Sequence, residues 1–293
     1  MKRTITATLA ATALFGLTAC KGGGSAAAKL IPEQATIVGG IDLAGVMKSK
    51  LYTDNKDKAM KGPSAEMIEA GKACNIDVEK LESIVFGTDA DKGVAVVITG
   101  PGVGEEANLN CVAGKIKEKN PEAPFTIEGK EIKMGDEGTA YIVDGKTLAF
   151  ASAPWAGAVK ELVDGKGKSA MDGSLKDLIG KADQSKHIWF AGKVPAEMAA
   201  QAQAEGLESV YGSIHLASGV DLNVTGVFAD AEKPASLATM INGFKEAGKT
   251  KMPDMAGTID GVKVEAKDKN LEISASIPQA DVDKAMAAVP GMM

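Results

Sequence analysis

The chain has 293 residues, of which 45% are apolar and 25% charged, values that describe a globular body with a sizeable core. Its formal net charge of −6 is interspersed along the chain and aromatic residues make up only 4%. With no basic face carrying stacking rings, nucleic acid is excluded as a partner, and no apolar run beyond the N-terminus approaches membrane-spanning length.

Residues 1–20 read MKRTITATLAATALFGLTAC. Lys2 and Arg3 form a positive start, and Ile5 to Leu17 form an apolar run too short to span a bilayer, the form of an export signal. The run ends in Leu17-Thr18-Ala19-Cys20, which resembles the lipobox of bacterial lipoproteins. The resemblance covers these twenty residues. It implies cleavage before Cys20, a diacylglycerol on its thiol, and a further acyl chain such as palmitate on the new amino group. Several chains, at about 0.8 kcal/mol per buried CH₂, anchor where one would not. Lys21, standing where an Asp would favour retention in the inner membrane, implies the outer membrane, facing the periplasm or the cell surface. Without Lys2 and Arg3 the basic count falls from 33 to 31 against 39 acids, a net charge of −8.

The Gly/Ser/Ala run from Lys21 to Ala28 reads as a flexible leash, spanning about 15–20 Å. The expected division is therefore a signal at 1–19, lipidated Cys20 with a linker at 20–33, and a body that falls into two parts, 34–168 and 169–293.

Two phrases carry that last division. LESIVFGTDADKGVAVVITG runs from Leu81 to Gly100 and LESVYGSIHLASGVDLNVTG from Leu207 to Gly226, without a gap. Downstream, Thr126-Ile127-Glu128-Gly129 answers to Thr258-Ile259-Asp260-Gly261, and Pro154-Trp155-Ala156 to Pro278-Gln279-Ala280. This reads as an internal duplication. In the second copy Ile188 to Ala191 reads as a strand, and Pro195 to Ala204 as a helix with Pro in its first turn. Val210 to Leu216 and Val220 to Val224 form a hairpin closed at Ala217-Ser218-Gly219. Leu237, Met240, Ile241 and Phe244 mark an amphipathic helix. Strands at Thr258–Ala266 and Leu271–Ile277 and a helix at Ala280–Ala288 follow. The first copy repeats the order from Ile37 to Val163, with an extra hairpin whose Asp144-Gly145 carries a type I′ signal.

Strand, helix, strand, strand, helix, strand is the order of a ferredoxin-like module. The expected fold class is α+β: two tandem βαββαβ modules with largely antiparallel sheets and helices on one face. Alternation places Val96 and Leu222 toward a core and Ala95 and Asp221 on the opposite face. The first copy is longer between its first strand and the phrase, and Lys48 to Pro63 reads there as a solvated loop.

Of three cysteines, lipidation consumes Cys20; Cys74 and Cys111 are an even pair in an oxidising compartment and read as a disulfide. His187 and His215 are the only histidines, and no G-x-S-x-G or H-E-x-x-H motif accompanies them. Gly100-Pro101-Gly102-Val103-Gly104 precedes a helix, but Glu105 and Glu106 stand where a phosphate would sit, so it reads as a turn. Nothing calls for a metal or cofactor. The expected function is a non-enzymatic, lipid-anchored envelope module that meets a protein or glycan. A carrier of an apolar or lipid ligand is the first alternative, suggested by the 13 methionines, and a hydrolase the second. Cys20→Ser should release the body from membrane pellets and leave the precursor uncut; retention of the variant in membranes after an alkaline wash would place the anchor elsewhere.

Overall fold

The computed structural model describes residues 24–59, 63–89, 93–122 and 124–288, so Cys20 and the 1–19 segment lie outside the described residues. The first half runs α1 (Gly24–Ala28), β1 (Ile37–Asp42), α2 (Leu43–Lys48), α3 (Lys50–Ala59), α4 (Pro63–Ala73), β2 (Ser83–Thr88) and β3 (Val94–Thr99). It continues with α5 (Glu106–Lys119), β4 (Thr126–Glu128), β5 (Glu131–Lys133), β6 (Gly138–Asp144), β7 (Thr147–Ser152), α6 (Ala156–Val163) and α7 (Lys176–Lys181). The second half comprises β8 (Ile188–Lys193), α8 (Ala196–Gln201), β9 (Leu207–His215), β10 (Gly219–Phe228) and α9 (Glu232–Lys251). Then come α10 (Ala256–Asp260), β11 (Lys263–Lys267), β12 (Asn270–Pro278) and α11 (Gln279–Ala288).

The fold is α+β, and the described residues form one antiparallel sheet of 12 strands in the order β11-β12-β10-β9-β8-β1-β2-β3-β7-β6-β5-β4. β1 and β8 pair antiparallel at its centre, Ile37 opposite Gly192 and Ile41 opposite Ile188. Outward from this seam each arm has the same order: first strand, the two strands of the repeated phrase, then a later hairpin. A ferredoxin-like module sets its first two strands parallel with another strand between them. Here β1 and β2, and likewise β8 and β9, are antiparallel neighbours, so the sheet does not have that order. A helical connection between two strands does not itself fix their relative direction. Two separate sheets would also leave β1 and β8 as exposed, apolar edges, and pairing them removes both edges.

Helices lie on both faces rather than one. On the face here called the front, Val38, Val85, Ala95, Val97, Ala149, Ala151, Trp189 and Ala191 form the main core with Ala28 of α1, Val159 of α6 and Ile179 of α7. On the back, Leu109 of α5 packs on Ile132, Ala140 and Ile142, and Ala238 of α9 packs on Phe228 and Leu271.

Several expectations are corrected by this arrangement. Ala95 is fully buried in the front core while Val96 is half-buried on the back, the reverse of the expected register. Both parities of β3 are apolar, so alternation alone left the choice to Asp221, whose own strand face has no core over it. The leash is shorter than expected. Gly24–Ala28 is helical, and Ala27, Ala28 and Ile31 are buried beneath the front cover. The 48–63 stretch contains α3 instead of a loop, tied down by Lys56 to Glu79 at 2.9 Å. Thr126–Glu128 is a strand whereas Thr258–Asp260 lies in α10, so those matching quartets are not structural counterparts. The β6–β7 hairpin turns at Gly145-Lys146, but Gly145 is not among the positive-φ glycines, so the turn is not type I′.

α9 shows how local sequence builds the scaffold. The Asp230 carboxylate accepts from the Glu232 and Lys233 N–H groups, both at 3.1 Å, and Pro234 falls in the first turn where no N–H is missed. Ala95→Asp would bury a charge without a partner and should cost about 3 kcal/mol or more, while Val96→Asp on the half-open back should cost clearly less. Urea denaturation of both variants checks this, and equal losses would mean that the two faces are assigned the wrong way round.

Candidate functional site

The back face is apolar from flank to flank. One cross-strand row runs Val224, Gly212, Phe190, Gly39, Phe86, Val96 and Phe150. The next runs Leu222, Ile214, Ile188, Ile41, Ile84, Ile98 and Leu148. All but the two glycines are half-buried, although isoleucine, phenylalanine and leucine in a sheet interior are ordinarily covered. Neighbouring residues in such a row lie about 5 Å apart, so the rows make a continuous floor.

Two rings shape that floor. A Cβ on Gly39 would meet Phe86 Cζ at 2.6 Å, and one on Gly212 would meet Phe190 Cζ at 2.7 Å. Each ring therefore lies across the neighbouring strand at a position that only glycine leaves free. The phrase register makes Phe86 the counterpart of Gly212, so the two halves exchange ring and glycine across the seam.

α5 stands over the floor's β5–β6–β7 flank and α9 over the β10–β12–β11 flank. Among the described residues, the five large apolar side chains that stand exposed are Ile116 on α5, Met198 on α8, Met240 and Phe244 on α9, and Met252 just beyond it. Phe244, at 67% exposure, has the largest open apolar surface of these. A floor with a half-open apolar surface and rims that carry loose apolar groups can hold an elongated apolar body by area alone.

The residues singled out in the sequence fall elsewhere. The structure brings Cys74, at the end of α4, and Cys111, on α5, into a disulfide with an S–S distance of 2.04 Å. Its two half-cystines are 37 residues apart, and the bond ties the inserted helices to the α5 flank. His187 and His215 stack with centroids 4.6 Å apart and planes 9° from parallel. The Leu216 N–H donates to His187 Nδ1 at 2.7 Å, which leaves Nε2 as the protonated nitrogen of the neutral ring. Burial, and then the neighbouring His215 charge, push His187 below the ordinary histidine range against the opposing pull of Asp42. His215 Nδ1 is buried without a hydrogen-bond partner among the described residues.

No serine hydroxyl among the described residues bonds to either ring; Ser276 Oγ donates to Asp221 at 2.6 Å instead. The Gly100–Gly104 segment also spends its donors internally. Gly100 N–H reaches Lys146 O, Val103 N–H reaches Gly100 O, and Gly104 N–H reaches Gly145 O. They are thus not free to cradle a phosphate. No group of three or more metal-ligating side chains occurs, and no helix is long and apolar enough to cross a membrane, among the described residues.

No protein-family model matches the chain, and no match to it was found among curated proteins or solved structures. The floor residues Phe86, Phe190, Ile188 and Ile214 escaped the sequence reading. The signal was there in β2, where Ile84, Val85 and Phe86 are apolar at both parities, which marks a strand with two apolar faces.

Closing a loop of this length should make the disulfide stabilise the fold by about 3–4 kcal/mol in the chain-entropy model. Peptide mapping of unreduced protein should recover Cys74 linked to Cys111, and reduction should lower the denaturation midpoint. Ready alkylation of both thiols in freshly isolated protein would show that the bond does not form.

Proposed function

We propose that the protein is a non-enzymatic, lipid-anchored binding protein of the cell envelope that holds an apolar, acyl-chain-bearing ligand on the back face of its sheet. The observation that carries this is the pair of apolar cross-strand rows left half-open between α5 and α9. The anchor rests on the lipobox at Leu17–Cys20. Ten methylenes laid along the floor, at about 0.8 kcal/mol each, correspond to micromolar affinity before ordering costs are subtracted.

A second reading puts a protein partner on the same face, favoured by the exposure of Met198, Phe244 and Met252 along the rims. The two readings separate on the effect of the floor. An environment-sensitive fluorescent fatty acid should bind, and Phe190→Asp or Ile214→Asp should weaken it about tenfold or more while the chain stays folded. Organic extraction of protein purified from its host should release an acyl-bearing compound. Absence of any extractable lipid, with equal probe binding by parent and Phe190→Asp, would leave the protein-partner reading in place.

A further inference from the structure

The front face of the second half is built differently from that of the first. Its strands leave a cleft of about 370 Å³, with Ser213, Asn223 and Ser274 on the floor and Lys186 and Lys263 at the sides. The floor residues lie on one cross-strand row: Lys263 is opposite Ser274, Ser274 opposite Asn223, and Asn223 opposite Ser213. Followed across the seam, the same row becomes Trp189, Gly40, Val85, Val97 and Ala149, all in the buried region of the front.

The two arms can be compared position by position. In the phrase register Ala95 and Val97 answer to Asp221 and Asn223. Ala151 and Ala149, which pair with the first two, answer to Ser276 and Ser274, which pair with the second two. All four first-half residues are fully buried. One arm thus has Ala, Val, Ala and Ala under a helical cover, and the other has Asp, Asn, Ser and Ser around a cavity. A sheet face that merely meets solvent would be expected to pair its charges with one another, as Lys267 does with Glu265 and Glu272 at 3.2 and 2.6 Å. Lys263, on the same strand and face, has no carboxylate within ion-pair distance among the described residues. Among the described residues Lys186 reaches only Asp183, at 3.9 Å. The single acid of the cleft, Asp221, is already engaged by the Ser276 hydroxyl.

We propose that this cleft is a binding site for the oxyanion of a small hydroxylated compound, a phosphate or a carboxylate. Lys263 and Lys186 supply the charge, and Ser274, Asn223 and Ser213 supply neutral donors along one line. A charge-assisted hydrogen bond is about twice as strong as a neutral one, so Lys263 carries most of the recognition. The site stands apart from the apolar floor, on the other face of the sheet, and neither proposal depends on the other.

The test is calorimetric titration of the full chain with inorganic phosphate, glucose 6-phosphate, gluconate and glucose. The oxyanion compounds should bind and glucose should not, with affinity falling as salt is raised. Lys263→Gln should weaken binding about tenfold and Asn223→Ala several-fold, while Lys267→Gln should change it less than about twofold. Lys263 is exposed, so its substitution leaves the fold intact. Binding of gluconate but not phosphate would assign the site to carboxylates within the same proposal. Failure of all the anions to bind, binding of glucose alone, or equal loss in Lys263→Gln and Lys267→Gln would overturn it.

Discussion

Two adjacent glycines decide how the halves of this protein join. Gly39 and Gly40 sit in the middle of β1, with strand partners on both edges. A Cβ on Gly39 would strike Phe86 on the back, and one on Gly40 would strike Trp189 Nε1 on the front. Glycine in a strand interior costs about 0.5–1 kcal/mol in entropy relative to alanine. Here that cost lets one large ring settle on each face of the same strand. Trp189 comes from β8, so the front ring belongs to the other half of the chain and is 98% buried against the first half's core. A side chain on either glycine would push out a ring and loosen the contact that makes two five- to seven-stranded arms into one sheet.

From that seam the two faces part ways. The front closes over the first arm and the seam, because α1 and α6 bring Ala28 and Val159 onto the first arm's strands and α7 brings Ile179 onto β8 and β9. On the back, α5 and α9 follow β3 and β10 in equivalent places and stand over the flanks. The centre of the back therefore keeps its isoleucines and phenylalanines half-open, and the front of the second arm keeps its serines and lysines. Trp155 marks the difference between the arms. In the first it donates to Asp89 at 3.1 Å and packs so closely that a Cβ on Gly93 would overlap it. In the second, the aligned residue is Gln279, whose Oε1 is buried without a partner among the described residues, and His215 stands where the first arm has Asp89.

The elements themselves were largely legible. The repeated phrase marks β2–β3 and β9–β10, and Leu237, Ile241 and Phe244 mark α9, because period and turn chemistry are local. What escaped was what only the assembled sheet decides. Hydropathy could not choose between the two faces of VAVVIT, since Ala95 and Val96 are both apolar; the choice was made by α1, more than sixty residues upstream. Nor could the order of elements distinguish a ferredoxin-like pair from one antiparallel sheet, because strand direction after a long helical connection depends on which edge is free to pair. Cys74 and Cys111 could be coupled from the sequence by counting, but the apolar floor had no motif and is defined only by register. Lys263 is unremarkable in KVEAK until Lys267 beside it is seen to hold both glutamates.

The N-terminus bears on how the apolar floor would be used. α1 begins at Gly24 and packs on the front, so only Lys21 to Gly23 separate it from the proposed anchor at Cys20. Four residue steps span at most about 14 Å when fully extended. An acylated Cys20 would therefore hold the body close to its bilayer by the side opposite the floor. Gly39, Phe86, Phe190 and Ile214 would then face away from the anchoring membrane instead of resting on it. That geometry suits a floor that receives an acyl chain arriving from elsewhere in the envelope, since a face pressed to its own bilayer would already be covered by lipid.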